Sequence, residues 1–266
     1  MKTMKIIITA GGISEKIDGV RKITNSGTGR LGSLTAEELV RRGGDRIEKI
    51  YYVCAPGSAV PRADAEVIPV QGAEEANTVL ERLLTRENIG AVIHSMAVSD
   101  YAVDRVTTAE NLAGFLADRL SSADRQEFRS TRALAEFLLE CINRNDRLLD
   151  RSRKVSSELD HMLLMMRRTP KLIGLVKALR PSAVLVGFKL LKGVDRQTLL
   201  NAGHEVMKKN SCDLVLANDQ TEISGDRHVG YLLSPDGSFE RYETKAEISA
   251  GIAGRVLSLL EKRERQ

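Results

Sequence analysis

Six short, mostly apolar runs, at residues 5–10, 47–54, 66–70, 91–95, 183–188 and 213–217, recur along the chain with amphipathic helical patterns between them at about 32–42, 74–86, 170–179 and 196–209. Strands without a polar face have to be covered on both sides. Intervening helices supply that cover and allow parallel pairing, since a parallel connection has to cross the whole sheet before the next strand can begin. The pattern therefore predicts an α/β fold, Rossmann-like and three-layered, around a mostly parallel central sheet. Two regions break the alternation. Residues 102–157 are rich in arginine and carboxylates and helical in pattern at about 108–120 and 132–149, which reads as a helical insertion or flap. Residues 229–234 and 239–243, around Pro235-Asp236-Gly237, read as a C-terminal β-hairpin. The 228–244 segment containing it is a candidate dimerisation element, and an amphipathic helix follows at about 246–262. A single domain, 1–266, carrying an insertion is the expectation for 266 residues with 42% hydrophobic content.

Several classes of function fall away on composition. The apolar runs are strand-sized, far short of the roughly 20 residues a membrane crossing needs, and the N-terminal run is too short for a secretory segment. No membrane partner and a cytoplasmic location are expected. Cys54, Cys141 and Cys212 stand far apart in apolar surroundings, as buried free thiols do, and His94, His161, His204 and His228 pair with nothing at ligand spacing. No protein-held metal site is expected. The 40 basic residues are interspersed with 36 acidic ones, and 4% aromatic content with no tryptophan leaves few stacking platforms, so nucleic acid is not an expected partner. Small anionic substrates suit the mild net charge of +4.

Parallel sheets bind ligands beyond the carboxyl ends of their strands. The unusual polar sequences here all follow strands: AGGISEKID, SMAVSDY, KLLKG and ANDQTE. Within the first loop, Gly27-Thr28-Gly29-Arg30-Leu31-Gly32 fits the GxGxxG pattern and opens a helix, whose free N–H groups can hold phosphate. A dinucleotide-binding protein would place those glycines directly after the first strand, and its second strand would end in an acidic residue. Here about sixteen residues intervene and the second strand ends Val53-Cys54-Ala55-Pro56. Both features count against NAD. An NAD(P)-dependent reductase and a non-catalytic nucleotide-binding protein stay open as alternatives.

The stretch ITAGGISEKIDGVRKITNSGTGRLG, residues 8–32, resembles the opening of phosphopantothenate–cysteine ligases. Further motifs follow in the family's order. They are His94-Ser95-Met96-Ala97-Val98-Ser99-Asp100-Tyr101, Lys154-Val155-Ser156-Ser157, Val186-Gly187-Phe188-Lys189-Leu190-Leu191, and Lys209-Asn210 with the run to Asp219. The form is more similar to the stand-alone bacterial ligase than to the decarboxylase–ligase fusion, so no flavin is expected. Gly27 replaces a serine frequent in the family, and the 104–151 region is longer than in a short stand-alone ligase.

The resemblance implies coenzyme A biosynthesis. The carboxylate of 4′-phosphopantothenate attacks the α-phosphorus of CTP to give an acyl-cytidylate and pyrophosphate, and the amine of cysteine then displaces CMP to form an amide. Magnesium would ride on the phosphates, and a homodimer is implied. Asn25 matches the asparagine that handles the acyl-cytidylate, Arg21 an arginine able to fork onto phosphate or carboxylate, and Lys154 the lysine of a mobile flap. These three are the implied catalytic residues. Implied nucleotide and substrate contacts are Gly11, Gly12, Ser26, Gly27, Thr28 and Gly29 in the first loop, His94, Ser95, Met96 and Asp100 in the second, and Phe188, Lys189 and Asn210 further on.

Overall fold

The computed structural model describes residues 3–124, 128 and 130–265. In chain order the elements are β1 (Met4–Ala10), β2 (Ser14–Lys16), β3 (Lys22–Thr24), α1 (Arg30–Gly43), β4 (Ile47–Cys54), β5 (Glu66–Pro69), α2 (Gly72–Arg86), β6 (Ile89–His94), β7 (Tyr101–Thr108), α3 (Ala109–Ser122), α4 (Thr131–Arg144), β8 (Met162–Arg168), α5 (Leu172–Leu179), β9 (Val184–Leu191), α6 (Arg196–Asn210), β10 (Leu214–Asp219), β11 (Ile223–Ser224), β12 (Arg227–Leu233), β13 (Phe239–Thr244) and α7 (Lys245–Glu264). They form two compact units. The first comprises Met1–Ser14, Thr24–Asp100 and Pro170–Gln266, the second Glu15–Ile23 and Tyr101–Thr169.

In the first unit β5, β4, β1, β6, β9 and β10 lie side by side in parallel. β12 pairs antiparallel with β10 and is itself flanked by β11 and β13. The six parallel strands are the six apolar runs, and the α/β fold is the one their pattern predicts. β1 shows why: Ile6, Ile7 and Ile8 are all fully buried, Ile7 against one layer of helices and Ile6 and Ile8 against the other. Full burial of such a side chain stabilises by roughly 1.5–3 kcal/mol. One layer is α1 and α7, through Ala36, Leu39, Ile252 and Val256 among others. The opposite layer is α2, α5 and α6, through Leu80, Leu84, Val176 and Leu199. From β1 the chain builds outward through β4 and β5, then returns to β6 on the other side of β1. That reversal makes the carboxyl ends of β1 and β6 the switch point where open α/β sheets hold ligands.

The second unit is a two-stranded antiparallel ribbon, β7 with β8, accompanied by α3, α4 and the tip of the β2–β3 hairpin. Its strands depart from the purely helical insertion expected from 102 to 157. β7 is broken in pattern by Asp104-Arg105, where the pairing register shifts, and its partner lies more than fifty residues away, beyond local periodicity. The helix expected to run to about residue 149 stops at Arg144. Asn145 accepts a bond from the Arg147 N–H, an Asx turn, and Leu149 then donates its N–H to the Val106 carbonyl on β7. No helix among the described residues is long and apolar enough to cross a membrane.

Candidate functional site

Beyond β1 the chain turns at Gly11 and Gly12 and runs beside the segment that follows β6. The Ala97 N–H donates to the Gly11 carbonyl (2.9 Å) and the Ile13 N–H to the Ala97 carbonyl (3.0 Å), extending the β1–β6 pairing past the sheet. Ser95 fixes the start of that segment, its N–H and Oγ both donating to the Thr9 carbonyl at 3.0 and 2.7 Å. Asn25 returns to the same place. Its N–H donates to the Ile13 carbonyl and its side-chain Nδ2 to the Ala97 carbonyl (3.0 Å), so the amide is oriented between the two loops. The approach is close enough that a Cβ on Gly12 would lie 1.9 Å from the Asn25 carbonyl oxygen, which only glycine avoids.

Thr28 and Gly29 then lead into α1. Gly29 has φ +74°, a left-handed conformation that glycine adopts freely, and it stands at the N-cap position without a side chain of its own, while the Arg30 N–H reaches Thr28 Oγ1 at 3.4 Å. The first turn of α1 holds no acidic residue. α3, α4, α6 and α7 begin with Thr108, Ser130, Asp195 and Thr244, each accepting a backbone N–H, whereas α2 and α5 share with α1 an N-cap residue that makes no such bond. What distinguishes the α1 terminus is its place beside the glycine turn at the switch point, where its positive dipole end faces the loops after β1 and β6. A buried tyrosine braces this turn: the Tyr52 hydroxyl lies 3.1 Å from the Gly29 carbonyl and 2.7 Å from that of Ala59, while the Ala59 N–H donates to the Thr28 carbonyl. Burial pushes the Tyr52 hydroxyl above its ordinary pKa, so it stays a donor. Neither Tyr52 nor the loop to Ala59 stands out in the sequence, because Tyr52 reads as one more strand residue.

The structure thus brings Gly11, Gly12, Asn25, Gly27, Thr28, Gly29, Ser95 and Met96 into one loop cluster, with Ser26 exposed beside them. His94 sits beneath it with Nδ1 2.8 Å from Thr9 Oγ1, and burial pushes its pKa down to about 4. A neutral imidazole results near pH 7, not a cation for phosphate. The Met96 side chain packs into the core, leaving the backbone as what this residue presents. Asp100 forms an exposed ion pair with Lys171. Phe188 and Lys189 lie on β9 toward its carboxyl end, Phe188 half-buried against the α1/α7 layer. Asn210 stands elsewhere. It is the last residue of α6, donates Nδ2 to the Val206 carbonyl, and lies where the chain enters β10, the end of the sheet opposite the glycine turn. Asp219, at the end of the same motif, is spent on the N–H groups of Gly193, Val194 and Thr221.

Arg21 and Lys154 belong to the second unit. Arg21 is already engaged: Nε and Nη2 form a fork on Asp18 Oδ2 at 2.8 and 2.6 Å, and Nη2 also donates to the Val155 carbonyl. Bonds from the Arg21 backbone and guanidinium, and from the Val20 N–H, hold the buried Asp18 carboxyl well below the usual carboxylate range. Lys154 is exposed. Asp18 escaped the sequence reading, although Asp18-Gly19 preceding Arg21 carries the signature of a turn that an aspartate caps.

The fold and this loop cluster define an α/β domain with a glycine-rich loop cluster at its switch point. Residues 1–113 match the family model described as the DNA/pantothenate metabolism flavoprotein C-terminal domain. It is similar to the coenzyme A biosynthesis bifunctional protein CoaBC of Thermococcus kodakarensis, 25% identical over 232 residues that cover 87% of this chain and 45% of that protein. Among solved structures, the DNA/pantothenate metabolism flavoprotein from Streptococcus pneumoniae superposes with a TM-score of 0.74 at 29% identity, covering 96% of this chain and 99% of that one. A Cab2 variant in complex with phosphopantothenate-cysteine shares the fold, with a TM-score of 0.63 at 16% identity over 97% of this chain and 87% of that one. The chain spans about half the length of the curated relatives it matches.

Proposed function

We propose that the chain is a phosphopantothenate–cysteine ligase that activates 4′-phosphopantothenate with CTP and condenses the acyl-cytidylate with cysteine. The observation that carries the reading is the Asn25–Ala97 junction, where an oriented amide stands between the glycine turn after β1 and the loop after β6 at the switch point, beside the start of α1. Support also comes from the family-model match over residues 1–113 and from the fold shared with a Cab2 structure that holds phosphopantothenate-cysteine.

In the first step an anionic carboxylate approaches a polyanionic triphosphate. Donors that offset the repulsion and stabilise the charge gathered in the transition state therefore dominate catalysis. The α1 N–H groups and the glycine turn are the fixed donors of the first unit, and the resemblance to the ligases assigns cationic roles to Lys154 and Arg21. Asn25, able to donate and accept, suits an intermediate that carries both a carbonyl and a phosphate ester. Among the described residues no group of three or more histidine, cysteine or carboxylate side chains is placed to hold a metal ion. The donor set fits magnesium carried by phosphate oxygens and water, where the ion would neutralise developing charge. A homodimer belongs to the same proposal.

The test is pyrophosphate release with 4′-phosphopantothenate, magnesium and either CTP or ATP, with and without cysteine. CTP-dependent release and a cysteine-dependent amide product are the expected result. Folded protein that releases no pyrophosphate with either nucleotide would overturn the reading.

A further inference from the structure

The Asp18 side chain is completely buried, and five hydrogen bonds converge on it. Oδ1 accepts from the N–H groups of Val20 (2.8 Å) and Arg21 (2.7 Å), closing a tight turn. Oδ2 accepts the Arg21 fork and, in addition, the N–H of Val155 at 3.1 Å. The reverse connections run alongside: Arg21 Nη2 donates to the Val155 carbonyl at 3.1 Å and the Gly19 N–H to the Arg153 carbonyl at 3.2 Å. A Cβ on Gly19 would come within 3.0 Å of the Ser152 carbonyl oxygen, so the turn lies flat against the 152–155 backbone. Peptide groups on both sides of Lys154 are therefore pinned, with Val155 buried and the Lys154 side chain projecting from between them.

We propose that Asp18 is the positioning residue of Lys154: its carboxylate locks the 18–21 turn to the 153–155 backbone, so that the ammonium is presented from a rigid base instead of a mobile run. The inference rests on the ligase reading, in which Lys154 meets the triphosphate. The need for a carboxylate at this position is chemical. Asparagine has the same shape and keeps one acceptor, but its NH2 would face the Arg21 guanidinium and the Val155 N–H, donor against donors. A charged group that accepts several bonds at once is what lets one residue bind a turn, a guanidinium and a separate strand of backbone.

The experiment combines kinetics and proteolysis on the full chain. Asp18→Asn is expected to lower kcat/KM for CTP by about tenfold or more while leaving KM for cysteine within about twofold. In a Lys154→Ala background the same substitution should cost less than about twofold, because a residue that acts through Lys154 has nothing left to position. Asp18→Glu, which keeps the charge on a longer arm, should show the same split with a smaller loss. Equal losses in the presence and absence of Lys154 would overturn the proposal by making Asp18 a general support of the fold. A second readout needs no activity. Trypsin should cleave after Arg153 and Lys154 several-fold faster in Asp18→Asn than in the unaltered chain, with other sites unchanged, and unchanged cleavage at those two bonds would overturn the proposal. Inactivity of the unaltered chain would sink the ligase reading alone, since the proteolysis still reports whether Asp18 pins the 153–155 segment.

Discussion

Ile6, Ile7 and Ile8 on β1 are all fully buried, and α7 on the same unit buries seven of its residues. In the second unit α3 buries none, α4 buries only Cys141, and β8 is at most half-buried. Charged side chains grip backbone in both units, in the first through Arg180 on the carbonyls of Leu84, Thr85 and Glu87 and through Asp219, but in the second such grips stand with little buried helix surface around them. Arg151 donates to the carbonyls of Lys16, Ile17, Val103 and Asp104, Thr107 Oγ1 donates to the Arg147 carbonyl, and Asp18 gathers five donors. One unit is held by apolar packing between layers, the other largely by charged side chains that grip backbone. Packing is cooperative and distributes its effect over many neighbours. Grips of this kind are local, and each can be released by changing one residue.

The comparison can be broken at several places. The largest effect is expected for Ile93→Ala in the first unit: the side chain is fully buried between β6 and the α1/α7 layer, and its loss should cost about 2–5 kcal/mol in urea unfolding. Next comes acid. The two buried histidines, His94 and His228, both lie in the first unit, and burial holds each at about 4 against an ordinary 6.5. Between those values the unfolded chain binds more protons, so the stability these groups provide is complete above pH 6.5 and is lost as the pH falls toward 4. For His94 the loss should reach about 3 kcal/mol. Urea midpoints between pH 7 and pH 4 check the size, and hydrogen exchange checks the place. Protection lost first from the second unit would contradict the assignment. Arg151→Ala should then cost about 1–3 kcal/mol through the carbonyls it leaves unpaired, with faster exchange confined to residues 15–23 and 101–169. The smallest effect is expected for Leu139→Ala on α4, whose side chain is 59% exposed; a change beyond about 0.5 kcal/mol would mean that this face is packed in solution.

How much was legible in advance follows the same division. The parallel strands could be read because most are apolar over the greater part of their length, and the loops after β1 and β6 because glycine, asparagine and serine cluster there. β7 and β8 could not, since neither has a local signature that distinguishes it from helix and each is a strand only because the other is its partner. Asn210 belongs to a motif of the sequence, yet the direction of α6 carries it to the far end of the sheet. Asp18 has no comparable signal, because its bonds reach Val155 and Arg21 together and Val155 is remote in sequence.

The sequence by itself determined the layers, the strand ends where a ligand would sit, and the loop able to hold an anion, because periodicity and backbone freedom are properties of neighbouring residues. Tertiary structure alone decided that Tyr52 braces the Thr28–Gly29 turn, that Asn25 is aimed by Ala97, and that Asp18 pins the backbone around Lys154. Those are hydrogen bonds between groups far apart along the chain, and their partners are fixed only once the chain has closed on itself.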